Sequence, residues 1–180
     1  MRIILAPLKI FFCFILCISC TDNLTFDQIS LDIEPIVNVP IAYFELDQND
    51  FFDDDDDIEI TSITDTAVFR VLESTTVQEN LIKAVIDFEI INRFDRSFVV
   101  IIDFLDSNGV ITHSVSDLNI AVGDLNYSAT RTIIVENSPE FLNSRKVRVK
   151  INLFPSPNVL DPTISKTLVF RSAGTFYLSF

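Results

Sequence analysis

From residue 58 onward, apolar side chains recur at every second position, and β-branched and aromatic residues dominate. Over 81–91, Ile82, Ala84, Ile86, Phe88 and Ile90 fall on one face, with Lys83, Asp87 and Glu89 on the other. Over 98–105, Phe98, Val100, Ile102 and Phe104 form a face, while Val99, Ile101 and Leu105 line its reverse. A strand apolar on nearly both sides belongs in the middle of a sheet, covered twice. Asp106-Ser107-Asn108-Gly109 follows as a hairpin turn, its glycine free to take positive φ. The same alternation predicts strands over 65–73, 110–116, 127–136, 145–154, 164–171 and 175–180, and Pro139-Glu140-Phe141-Leu142 reads as one helical turn. No helix-period segment exceeds two turns. Seven to nine strands in about 115 residues predict an all-β antiparallel sandwich.

The stretch Val85-Ile86-Asp87-Phe88-Glu89-Ile90-Ile91-Asn92, with Phe104-Leu105-Asp106 and Gly109 after it, resembles the central hairpin of sandwich domains in late-embryogenesis-abundant and bacterial adhesion-related proteins. That resemblance covers about 30 residues and implies an immunoglobulin-like β-sandwich, a statement about fold and not function. The closing run Thr175-Phe176-Tyr177-Leu178-Ser179-Phe180 resembles the assembly signal of outer-membrane barrels. Barrels need aromatic girdles, whereas this chain has three Tyr and no Trp. The run is therefore expected to be a core strand of the sandwich.

The chain opens differently. Arg2 and Lys9 precede an unbroken apolar run from Ile10 to Ile18, too short to span a bilayer but long enough for a signal-peptide core. All three cysteines fall here, at positions 13, 17 and 20, which excludes a disulfide scaffold in the processed chain. Leu16-Cys17-Ile18-Ser19-Cys20 resembles a bacterial lipoprotein signal, with Ser19 at the small position before the modified cysteine. Phe12 and Leu16 are too bulky to serve Cys13 or Cys17 in that way. The resemblance implies a signal over 1–19, acylation of Cys20 (palmitate among the chains) and anchoring without a spanning helix. Thr21 follows the cysteine, so an Asp-type inner-membrane retention signal is absent. The short signal, acidic tether and Phe/Ile/Asn/Asp-rich β domain look like lipoproteins of Bacteroidota, which implies the outer membrane. Periplasmic and cell-surface faces both stay open.

Charge sharpens this division. The whole chain carries 13 basic and 26 acidic residues. Residues 21–66 hold 14 of the acids and no base, so the remainder is nearly neutral. An extended acidic arm is expected over 20–57 and the sandwich over 58–180. Pro35 and Pro40 keep the arm extended, and Ile41-Ala42-Tyr43-Phe44 is apolar enough to clip onto the domain. A net charge of −13 argues against general nucleic-acid binding.

Little chemistry survives elimination. With one histidine and no cysteine after Cys20, Cys–His nucleophiles and Cys/His zinc sites are excluded. His113 could be drawn beside Ser114 or Ser116 and Asp117, but no nucleophile elbow supports a triad, and an ordinary strand histidine is expected. No phosphate-binding loop is present. A carboxylate pair serving a hydrolase is the least favoured reading.

Two charged features stand out. Asp53, Asp55 and Asp57 could share one side of an extended run and offer calcium up to three ligands, against the plainer reading of a solvated linker. Lys146, Arg148 and Lys150 alternate with Val147, Val149 and Ile151, giving a basic stripe that either docks an acidic partner or guards a sheet edge. No other cofactor is expected. The resulting expectation is a membrane-anchored, non-catalytic module, an accessory subunit of an outer-membrane machine for assembly, secretion or uptake. The alternative is a carbohydrate-binding or adhesive surface lipoprotein, for which Tyr43, Tyr127 and Tyr177 would have to supply the aromatic platform.

Overall fold

A computed structural model describes residues 35–53, 58–157, 159–161 and 163–180. The signal segment, Cys20, Asp55 and Asp57 lie outside the described residues. The alternating segments form eight strands: β1 (Ile36–Asp47), β2 (Ser62–Val68), β3 (Leu81–Asn92), β4 (Phe98–Leu105), β5 (Ile111–Ile120), β6 (Tyr127–Ile134), β7 (Lys146–Leu153) and β8 (Thr167–Leu178). One short helix, α1 (Thr75–Asn80), and 3-10 turns including Pro139–Asn143 bridge the gaps. Among the described residues, no helix is long and apolar enough to cross a membrane.

The strands assemble into two four-stranded antiparallel sheets, ordered β1-β8-β3-β6 and β2-β7-β4-β5. The all-β sandwich of the expected strand number is thus present. Its pairings are nested, β1 with β8, β2 with β7, β3 with β6 and β4 with β5. One long folded ribbon rolled into two sheets is the connectivity of a jelly roll, which distinguishes it from an immunoglobulin domain.

Inward faces supply a phenylalanine-rich core. Phe69, Phe104, Phe141 and Phe176 meet at one end, with ring centroids 5.0–6.3 Å apart. Phe51, Phe94 and Phe98 meet at the other, at 5.3–5.9 Å. Such offset and edge-on pairs add to the burial of the rings themselves. The strand 98–105 lies inside its sheet as expected, although Val99 and Ile101 are only half-buried. Ala84, Ile86, Phe88 and Ile90 are buried on their common face, whereas a register shift between Leu81 and Lys83 leaves Ile82 exposed.

Three segments differ from the pattern read in the sequence. Residues 36–47 of the acidic arm form β1, a full strand of the first sheet, because Val37, Val39, Ile41 and Phe44 pack against the core. The strand sought over 65–73 is 62–68, and Val71–Glu73 turns as a 3-10 helix. The two strands sought over 164–171 and 175–180 are one, β8, central between β1 and β3.

All four sheet edges are blunted. On β1, Pro40 withholds a donor, and a register shift at Pro40/Ala42 lets the Ala42 N–H donate to Ser172 Oγ at 3.1 Å. On β2, Asp65 sits opposite buried Val149, a carboxylate turned toward the open side between the sheets. On β6, Arg131 sits opposite Ile86, and its Nε donates to Ser116 Oγ of the neighbouring edge β5 at 2.7 Å. β5 itself carries two register shifts. Each device discourages the pairing of an added strand.

Candidate functional site

Opposite ends of the sandwich differ in chemistry. At the end marked by Phe51, Phe94 and Phe98, three chain segments far apart in sequence are knotted together. Asp53 N–H donates to Ile58 O at 2.9 Å and Ile60 N–H to Phe51 O at 2.9 Å, so 51–53 and 58–60 run antiparallel as the two arms of a hairpin, Phe52 opposite Glu59. Glu59, in its returning arm, accepts from Arg96 Nη1 at 3.2 Å and from the Leu160 N–H at 2.6 Å. Arg96 Nη2 donates to Phe154 O at 2.6 Å. Gln48 closes the ring, donating to Ile164 O at 2.9 Å and accepting from the Asp161 N–H at 3.2 Å. Buried Asn92 donates to Arg96 O at 2.8 Å and Ala121 O at 2.7 Å, fixing the loop that carries the arginine.

Around this knot Ile58, Val122, Leu125, Phe154, Val159 and Ile164 are exposed. Hydrogen bonds from the side chain and N–H of Thr163 hold the Asp161 carboxyl below its ordinary pKa, so the charge there is retained in acid. Lys166 pairs with Asp95 beside it. The surface is therefore acidic and apolar together, on loops anchored by these hydrogen bonds.

For the calcium candidates, Asp53 is at the base of the hairpin. Among the described residues, no three of the His, Cys, Asp and Glu side chains gather as a metal cluster.

The basic stripe lies on β7, an interior strand, so it does not guard an edge. Arg148 is directly opposite Asp103 on β4, its Nη2 2.6 Å from Oδ2, while Ser114 Oγ donates to Oδ1 at 2.7 Å. Lys146 Nζ donates to Ser107 O at 3.1 Å, and Lys150 is exposed. The sheet itself thus takes up much of the positive charge.

His113 does not join a triad. Its ring lies 6.4 Å from Phe104 and 5.9 Å from Phe141, on the opposite side of β5 from Ser114, and burial lowers its pKa. Ser114 serves Asp103 and Ser116 accepts from Arg131. The buried Asp103 and the partly buried Glu59 are each held by an arginine.

The three tyrosines do not form one platform. Tyr43 and Tyr177 occupy the outer face of the first sheet at opposite ends of the β1–β8 pairing. Arg171 stands 6.0 Å from the Tyr43 ring, and Lys83 Nζ covers the Tyr177 ring at 3.8 Å. Tyr127 packs toward the core.

The acidic run and the stripe were visible as sequence patterns, but Gln48, Glu59 and Arg96 were not. Their partners lie 37–116 positions away, and no local spacing announces them. The one available signal is an arginine between apolar runs, at Phe94-Asp95-Arg96-Ser97-Phe98.

No known family profile matches the chain, and no curated protein does. Several solved structures align with parts of the chain. A Parabacteroides distasonis protein inferred to be secreted aligns at 12% identity over 64% of this chain and 38% of its own, with a TM-score of 0.49. The infectious bursal disease virus VP2 subviral particle aligns at 10% identity over 82% of this chain and 33% of its own, TM-score 0.47. A chain of Bacillus endospore appendages, described as disulfide-linked pili, aligns at 14% identity over 81% and 91%, TM-score 0.34. This chain spans little more than a third of the first of these proteins and a third of the second.

Proposed function

We propose that the chain is a lipid-anchored, non-enzymatic interaction module of a bacterial envelope, held at the outer membrane through Cys20. In this reading it is an accessory subunit of an envelope protein complex for assembly, secretion or uptake, in a bacterium of Bacteroidota type. The address rests on Ser19-Cys20 after the apolar run Ile10 to Ile18. The observation that carries the interaction role is the knotted end, where Asp53 and exposed Ile58 and Val159 lie on segments held by the Arg96–Glu59 pair. A partner presenting basic and apolar groups fits such a surface. The blunted edges direct the contact to loops instead of strand addition.

The test is a mild-detergent pull-down of tagged full-length protein from its own membrane, run in parallel with an Ile58→Glu, Val159→Glu double variant. A stoichiometric membrane partner lost in the variant is expected. Recovery of the protein alone, or a partner retained equally by both forms, would overturn the reading. Mass spectrometry of the Cys20 peptide from the same preparation tests the lipid.

A further inference from the structure

We infer that the opposite end of the sandwich is a membrane-contacting collar, seated on phospholipid, that stands the domain upright on its anchor. The inference rests on the proposed anchoring at Cys20. One cross-strand row runs Ile36, Tyr177, Lys83, Ile134 across β1, β8, β3 and β6 at the sheet's end. Ile82 and Phe180 extend it: Ile82 and Ile134 line a shallow depression of about 370 Å³, and the Ser179 N–H donates to Asn80 O. Ile36, Ile82, Ile134 and Phe180 are 37–62% exposed, a high share for four large apolar side chains set together.

Three features select lipid as the occupant. The chain enters the described fold here, the Pro35 carbonyl accepting from the Leu178 N–H at 3.2 Å, so the segment from Cys20 joins the domain at this end. Its reach of roughly 50 Å sets the furthest this end can lie from any bilayer holding the cysteine, and the other end can lie further still. Lys83 lies over the Tyr177 ring in the same row, pairing an apolar body with a charged tip, as side chains at a headgroup boundary do. Asp53, where the acidic run begins, is at the far end of a twelve-residue strand, ~40 Å away, where it does not oppose an anionic surface. A protein-binding role for the collar would leave this proximity to the anchor unused.

The chain has no native Trp, so introduced ones report without background. The processed chain, with its single cysteine Cys20, is coupled through that thiol to maleimide lipid in vesicles of phosphatidylethanolamine and phosphatidylglycerol brominated on their acyl chains. Coupling imposes the tether whether or not the cell acylates Cys20, so failure of the anchor, read on native Cys20 by mass spectrometry, is separate from failure of the collar. Ile134→Trp and Phe180→Trp report on the collar and Val122→Trp on the opposite end. About twofold or greater quenching at 134 or 180, with none at 122, is expected. Either collar variant suffices should the other fail to fold. Equal quenching at both ends, quenching only at 122, or none at all would overturn the collar.

Discussion

A Cβ on Gly174 would lie 2.7 Å from Cε2 of Phe176, so these two residues of β8 leave no room for any side chain at 174. The Phe176 ring is fully buried against Phe69, and Ile41 of β1 closes the other side at 3.0 Å. Gly174→Ala must therefore displace a packed ring instead of a loose tip. We expect a loss of about 1–3 kcal/mol, measured by urea unfolding, with the fold retained.

Arg96 and Glu59 are 6% and 14% exposed in their side chains, and each also binds a backbone group from the 154–160 segment. Removing one partner leaves a buried charge without its counterpart. Arg96→Ala should cost roughly 3–5 kcal/mol and raise proteolysis of the acidic hairpin. Limited digestion unchanged from wild type would contradict that role for the pair.

The Arg148–Asp103 contact is more open on the arginine side. Arg148→Glu places two carboxylates across one ladder position, and Arg148→Gln removes only the charge. Reversal should destabilise by about 1–3 kcal/mol and neutralisation by less. Equal effects of the two would show that repulsion at Asp103 is not the cause.

His113 predicts a pH dependence. Burial against Phe104 and Phe141 lowers its pKa below the ordinary 6.5, so the unfolded chain takes up the proton first as pH falls. Its contribution is complete above about 6.5 and is lost as pH drops through the folded value. Thermal unfolding at roughly pH 7.5 and 5.5 should show a larger drop in wild type than in His113→Phe. The same drop in both would remove His113 as the source.

The Asp106 carboxylate accepts from the Val110 and Asn108 N–H groups, each at 2.8 Å, and the bond from Val110 is the chief cause of its lowered pKa. It closes the turn in which Gly109 takes φ +86°. Stability from this turn is present above the ordinary carboxylate value and lost as pH falls below it. Asp106→Ala should lower Tm at neutral pH and lessen the acid sensitivity of the β4–β5 hairpin, followed by amide exchange at Val110.

What the sequence disclosed was what alternation encodes. The buried faces of β4 and β7 were readable residue by residue, as were that of β3 from Ala84 onward and the turn at Gly109. β1 read as an arm because its acidity is local information, whereas its pairing with β8 depends on a strand some 130 positions later. Ser172-Ala173-Gly174 looked like a break between two strands. Small residues are required there because Ser172 serves the β1 bulge and Gly174 admits the Phe176 ring. The partner of Arg148 was within reach, since Asp103 is the sole charge in an otherwise apolar strand. The knot of Gln48, Glu59 and Arg96 was not, because loops meeting across the fold share no periodicity.

The nesting of β1 against β8 also sets a timetable. β1 has no strand neighbour except β8, and β8 separates β1 from β3. Until residues 167–178 are available, the first sheet cannot close and the core lacks Phe170 and Phe176. Such long-range pairing slows folding. For a chain that crosses a membrane as an unfolded thread, as the proposed signal requires, this delay is useful. Exported in that way, the polypeptide would stay slack enough to pass through a translocation channel and lock only after its closing strand had emerged on the far side.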